Sequence, residues 1–213
     1  MCIRDSFDQY DFCLNLGGIA NVSFERSGKR LAFDIGPANM LLNYIANQKG
    51  LAFDDGGTLA RQGKIDNALL HTLDELAFYK EPYPKSLGYE WFLAEVQPIM
   101  QNASISLEDQ MATAVAHIAN QVATAVLSAH SSNQKASLMV AGGGAKNQFL
   151  IQSIQEKLGS QVEVIVPSDD LIDYKEAIVF ALMGVLRWRN EANCLASVTG
   201  ASGNAIGGAI YTA

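Results

Sequence analysis

The sequence predicts an α/β domain built on a mixed sheet flanked by helices, and three observations carry that prediction. Three short apolar runs near the N-terminal end are parted by glycine turns. Two later apolar runs, Ser137 to Val140 and Val162 to Val166, alternate with helical patterns. The 213 residues are 49% hydrophobic and only 17% charged, enough apolar material for a real core in one domain or one elaborated lobe.

Phe12 to Leu16, Ala20 to Glu25 and Arg30 to Phe33 read as an antiparallel meander, with Ser27–Gly28 as a hairpin turn. A helix over Asn39 to Gln48 follows, its start set by Gly36–Pro37 and its apolar face made by Met40, Leu41, Tyr44 and Ile45. Residues 51 to 105 are less regular. They read as a helical insertion packed on the sheet, with a short helix over Gly57 to Gln62, a second over Asp66 to Leu76 capped by Asp66, and a third opening at Ser86. Ser106 with Asp109 three residues on opens the longest helix, in which Met111, Val115, Ile118, Val122 and Val126 recur at helical spacing. Helices over Asn147 to Leu158 and Tyr174 to Arg189 complete a β-β-β-α, insertion, α-β-α-β-α order.

Composition excludes some functions. A net charge of −7 argues against general nucleic-acid binding and against docking on anionic membranes. No apolar run is long enough to span a bilayer. Cys2, Cys13 and Cys194 are scattered without metal-ligand spacing, as expected of incidental thiols in a reducing cytoplasm. Met1 to Asp11 shows no period and reads as a leader that matches nothing in the rest of the pattern.

Four glycine-marked turns carry what the residues say about function. Asn15–Leu16–Gly17–Gly18 is either a tight turn or a loop whose bare backbone reaches a phosphate. Asp34–Ile35–Gly36–Pro37 places a carboxylate where a strand is expected to end, beside a glycine that lets a ligand approach; the acid either caps the next helix or acts as a general base. Asn39 beside it is a ligand donor or a cap. Gly142–Gly143–Gly144, ahead of Asn147, costs chain entropy and so points to close approach of a flat group such as adenine or ribose. Thr199–Gly200–Ala201 is the fourth. Asp54–Asp55–Gly56–Gly57 lacks calcium-loop alternation and reads as a solvated turn. Glu176 stands near an expected helix start, where acids suit the dipole. His71, His117 and His130 have no partners at catalytic spacing, and His117 in the long helix reads as packed or exposed. Phe78, Tyr79, Tyr83, Trp91 and Phe92 suggest either a homodimer face or the insertion's own small core.

Taken as an ordered set, these segments resemble anhydro-N-acetylmuramic acid kinases. The residues that carry the resemblance are Asn15–Leu16–Gly17–Gly18–Ile19–Ala20–Asn21, Phe33–Asp34–Ile35–Gly36–Pro37–Ala38–Asn39, Pro84–Lys85–Ser86–Leu87–Gly88, Val140 to Asn147, Glu176–Ala177 and Val198 to Ala201. The resemblance implies a ribonuclease-H-like lobe of the sugar kinase–actin superfamily over residues 12–213, with the insertion at about 51–105 and the N-terminal lobe absent. It implies an ATP- and Mg2+-dependent kinase that couples opening of the anhydro ring to 6-O phosphorylation in cell-wall recycling. Asp34 falls on the catalytic base. Gly17, Gly18, Gly142, Gly143, Gly144 and Asn147 fall on the ATP side, and Asn39 and Glu176 on the sugar side. Ile35 and Ala38 depart from the family's usual Thr and Gly. About 150 upstream residues with an Asp-Gly-Thr-Ser-type loop are expected beyond this chain, which alone is expected to be inactive. A kinase for another hexose or amino sugar, or a non-enzymatic binding lobe, are the alternatives.

Overall fold

A computed structural model of the chain describes residues 9–132 and 134–211, so most of the 1–11 leader lies outside the described residues. β1 (Phe12–Leu16), β2 (Ile19–Arg26) and β3 (Lys29–Pro37) form the expected antiparallel meander. Its hairpin turn is made by Ser27 and Gly28, both at positive φ (53° and 72°), the twist that two-residue hairpins favour. β4 (Ala136–Ala141) and β5 (Val162–Ile165) join in parallel, giving one mixed sheet in the order β3-β2-β1-β4-β5.

Alternation along the strands decides the two faces. Leu14 pairs with Val22 and Val140, and Val22 with Phe33, so these side chains share one face. That face is buried under α1 (Asn39–Asn47), α6 (Leu107–Ala129) and α7 (Gln148–Leu158). The other face presents Cys13, Asn15, Met139 and Ala141 to α8 (Asp169–Trp188), which meets it through Val179.

The chain between α1 and α6 is helical, as expected: Asp55–Gly57 and Ala60–Gln62 are single tight turns, followed by α2 (Asn67–Asp74), α3 (Ala77–Lys80), α4 (Tyr89–Trp91), the wide turn Phe92–Val96 and α5 (Gln97–Asn102). Asp66 caps α2 by accepting the Leu69 N–H at 2.8 Å. The third helix opens after Gly88 rather than at Ser86. This region packs mainly on α6 rather than on the sheet. It covers the outer side of that helix so fully that every residue from Gln110 to Ala119 is buried. Ser106 accepts the Asp109 N–H at 3.1 Å and starts α6. Most of the aromatic residues that suggested a homodimer turn inward: Phe78 and Phe92 are buried, and Trp91 lies within 5.3 Å of Phe78 and 6.2 Å of Tyr79, while Tyr83 stays exposed. They are mainly a local core, and nothing supports the homodimer reading.

Two boundaries differ from expectation in ways that matter for the site. β3 runs on to Pro37, so Asp34 lies inside the strand opposite Asn21. A bulge between Ala20 and Asn21 leaves Ile35 as the extra residue. α8 starts at Asp169, five residues earlier than expected, which puts Glu176 about two turns inside the helix rather than at its start. Asp169 and Asp170 occupy the first turn, where acids suit the helix dipole. α9 (Ala196–Thr199) closes on Gly200 at φ 72° and packs beside β3. Among the described residues no helix is long and apolar enough to cross a membrane.

Candidate active site

Asp34, Asn21 and Asn15 are consecutive cross-strand partners on β3, β2 and β1. Directly opposed residues point to the same side of a sheet. The three therefore make a polar row across the face that α8 covers. At its far end Lys175 of α8 donates to the Asn15 Oδ1, and burial holds that ammonium below its ordinary range against the opposing Glu176 charge. Lys175 thus ties the helix that carries Glu176 to the row that carries Asp34.

Asp34 is half-buried, and burial pushes its carboxyl above the ordinary range, partly offset by the Leu87 N–H. That amide donates to Oδ2 at 3.1 Å; among the described residues no hydrogen bond occupies Oδ1. The backbone N–H of Asp34 donates to the Lys85 carbonyl at 3.0 Å. Lys85 in turn donates to the Phe78 carbonyl at 2.7 Å, with its ammonium 4.4 Å above the Phe78 ring. Tyr83 stacks flat on Phe33 at 4.9 Å and accepts a bond from Arg26 at 2.7 Å. The insertion therefore brackets the acid from both sides, and one carboxylate oxygen is left to accept a proton.

The glycines divide into two kinds. At Gly36 a Cβ would stand 2.9 Å from the Tyr79 ring and hydroxyl, so the room beside it is taken by protein and not left for a ligand. Gly142, at φ 86°, would collide with the Leu16 carbonyl at 2.8 Å, and Gly144 with the Leu16 Cβ at 2.7 Å. Both are bare because the triple-glycine turn packs against the end of β1. Gly18 and Gly143 are different. Their added carbons would meet nothing nearer than 3.8 Å and 3.7 Å, so the fold itself does not require glycine there. Gly17 is intermediate, with the Asn15 amide nitrogen at 3.3 Å. The carbonyls of Gly17 and Gly18 accept the N–H groups of Ala38, Asn39 and Met40, which closes the first turn of α1.

A cavity of about 400 Å³ opens beside these turns, lined by Asn39, Asn43, Phe53, Gly143, Gly144 and Asn147 among others. Asn39 donates to the Leu16 carbonyl at 3.1 Å and lies against the triple-glycine turn, so the structure groups it with the glycines rather than with Asp34. Asn147 caps α7 through the Leu150 N–H at 3.1 Å while lining the cavity. The Asp54 turn is not the solvated turn expected: its carboxylate is buried and accepts the N–H groups of Leu59 and Ala60 at 2.8 and 3.1 Å, holding Phe53 at the cavity mouth.

Reading the chain alone leaves His117 without partners; the fold supplies two. Its Nε2 lies 2.9 Å from the Tyr79 hydroxyl and its Nδ1 2.5 Å from Asp74. Asn15, Asn21 and Leu87 lie in segments the sequence singles out, yet only the strand register and the tertiary contacts bring them together with Asp34 and with Lys175. Only the period-2 alternation could have hinted that Asn15, Asn21 and Asp34 share a face.

A mixed sheet with helices on both faces, a bracketed carboxylate and a bare-turn cavity defines a class before it defines a family. A solved structure of component A of (R)-2-hydroxyglutaryl-CoA dehydratase from Acidaminococcus fermentans matches 81% of this chain and 60% of its own at a TM-score of 0.51, with 16% identity. The family model for anhydro-N-acetylmuramic acid kinase matches residues 3–213, a span that begins inside the 1–11 segment, and the chain belongs to that family. An anhydro-N-acetylmuramic acid kinase from Xanthomonas campestris pv. campestris (strain 8004) is 39% identical over 204 residues, 94% of this chain and 54% of the relative. One from Legionella pneumophila (strain Paris) is 35% identical over 201 residues, 93% and 54% respectively. The chain thus spans about half the length of the curated relatives it matches.

Proposed function

We propose that this chain carries the general base and the nucleoside-binding side of an ATP-dependent kinase acting on 1,6-anhydro-N-acetylmuramic acid. The observation that carries the reading is the Asp34 carboxylate: one oxygen held by the Leu87 N–H, the other uncommitted, on a polar row that meets the glycine turns. In this reading Asp34 Oδ1 takes a proton from water as the water oxygen bonds to the anomeric carbon. The bond from that carbon to O6 breaks, and O6 takes the γ-phosphoryl, leaving N-acetylmuramic acid 6-phosphate and ADP. A carboxyl raised by burial is a better base than an exposed one.

ATP supplies the transferable phosphoryl when bound. Gly143, Gly144, Asn147, Asn39 and Phe53 would hold its nucleoside, in a cavity of suitable size, and Gly17 and Gly18 would lie near its phosphates. Asn39 moves in this reading from the sugar side to the nucleotide side, because its side chain faces the triple-glycine turn. Glu176 stays on the sugar side in this reading, on an exposed part of α8 next to Lys175, which bonds the row. Among the described residues no group of three or more His, Cys, Asp or Glu is placed to hold a metal. The rest of the phosphate clamp would come from the half of the relatives that this chain does not span. A cytoplasmic place in cell-wall recycling follows from the substrate.

The test joins the chain to the upstream half of a relative and follows ADP release with the anhydro-sugar. Sugar-dependent turnover is expected, falling by several orders of magnitude in Asp34→Asn. Full activity of Asp34→Asn would remove the base. Preference for another hexose or amino sugar would redirect the substrate, and nucleotide binding without turnover would favour a binding lobe.

A further inference from the structure

We infer that Asp74, His117 and Tyr79 form a partly buried relay of positioning residues that holds the 78–87 segment, and through it the Asp34 carboxylate, in its reactive place. Asp74 and Tyr79 stand on the consecutive helices α2 and α3, and the fold brings His117 of α6 between them. Asp74 is anchored at one end by the Asn120 and Gln121 side-chain amides, each donating at 2.9 Å. Burial alone would raise its carboxyl, but bonds from His117, Asn120 and Gln121 prevail and hold it below the ordinary range. An ionised Asp74 can only accept, so His117 Nδ1 carries the proton and donates. Its other ring nitrogen, Nε2, shares a 2.9 Å hydrogen bond with the Tyr79 hydroxyl.

The relay's free end is the Tyr79 ring, and that ring fills the space a side chain at residue 36 would need. Tyr79 follows Phe78, whose carbonyl binds Lys85, and Lys85 and Leu87 hold the backbone and the carboxylate of Asp34. Two routes thus run from Tyr79 to the acid, one through Gly36 and one through Phe78 and Lys85. The Tyr79 phenol is deeply buried, and burial and then the Asp74 charge push it far above its ordinary value, so it works as a hydrogen-bonding strut and not as an acid. The inference rests on the kinase reading only for what Asp34 does; the mechanical link does not depend on it.

The experiment uses this chain with 13C-labelled aspartate, the Asp34 signal being assigned by its loss in Asp34→Asn. Tyr79→Phe keeps the ring and removes the last bond of the relay. Tyr79→Phe combined with His117→Leu removes both partners, so that no Nε2 is left buried without a bond. In both variants the Asp34 titration midpoint should move upward by about half a pH unit, because the Leu87 N–H that offsets burial is loosened. Exchange of the Leu87 amide should quicken about tenfold, the signature of a local opening. An Asp34 midpoint and a Leu87 exchange rate that match the parent in both variants, with only thermal stability altered, would overturn the proposal. Should Tyr79→Phe fail to fold, the paired variant gives the same reading. A moved midpoint in a protein that, once joined to its upstream half, proves not to be a kinase would sink the catalytic use of Asp34 while leaving the relay standing.

Discussion

The two faces of the sheet are built to different standards. The face under α1, α6 and α7 is closed: Leu14, Leu16, Leu138, Val140, Leu150 and Ile154 are wholly out of solvent. The face under α8 holds a small cluster of Met139, Ala141 and Val179, and it carries the polar row of Asp34, Asn21 and Asn15. α8 also presents a second apolar stripe outward, with Tyr174 63%, Val185 54% and Trp188 77% exposed and Ile178 alongside. A helix apolar on both sides is normally buried on both. One face is closed, while the other carries the polar row and leaves large apolar side chains in solvent.

The comparison can be broken by mutation, starting where the effect should be greatest. Leu138→Ala on the closed face should cost about 2–5 kcal/mol in denaturant unfolding, since the pocket it leaves cannot collapse. Trp188→Ala, a larger truncation on the outward stripe of the helix that covers the other face, should stay within about 0.5 kcal/mol. Equal losses at the two sites would erase the distinction.

Between the faces stand the glycine turns. Gly142→Ala forces a side chain into a left-handed conformation against the Leu16 carbonyl, and a loss of about 2 kcal/mol is expected. Gly18→Ala and Gly143→Ala should leave the melting temperature nearly unchanged, yet weaken nucleotide use in the protein joined to its upstream half. Calorimetry and turnover on the same samples separate the two kinds of glycine. If Gly18→Ala turns over like the parent, the phosphate role of that turn is lost.

The smallest effect is the most diagnostic. Because burial raises the Asp34 carboxyl in the folded chain, the native state holds its proton to higher pH than the unfolded state does. Stability should therefore fall as pH rises from the unfolded value through the folded one. Asp34→Asn should flatten that fall and raise the melting temperature slightly at neutral pH, as expected when an active residue is kept at a cost in stability. A melting curve of Asp34→Asn with the parent's slope across the acid range would mean the carboxyl is not strained at all.

Much of the fold was legible before any coordinates. The meander, its Ser27–Gly28 turn, the capped start of α6 and the β4 and β5 strands follow from local chemistry: turn residues with positive φ, a serine accepting a backbone N–H, runs of apolar residues of strand length. The candidate site was legible in part. Asp34 and the glycine turns stand out as residue types, but the reason for each glycine did not, because Gly36, Gly142 and Gly144 are explained by atoms from Tyr79 and Leu16 and not by their own neighbours. His117 shows the limit most clearly. It sits 43 residues from Asp74 and 38 from Tyr79, and no local pattern links a helix residue to acids and phenols so far away.

Local preference and periodicity were therefore enough to set the five strands, the longer helices and their order, and to single out Asp34 as a candidate, since each depends on residues within a few positions of one another. Which face of the sheet that acid occupies, which oxygen it keeps uncommitted and what braces it depended on register and on α6 meeting the 74–87 stretch from a distant part of the chain. Those contacts form only when burial of the common core pays for closing the long loops between them, and that is a property of the packed molecule rather than of any segment.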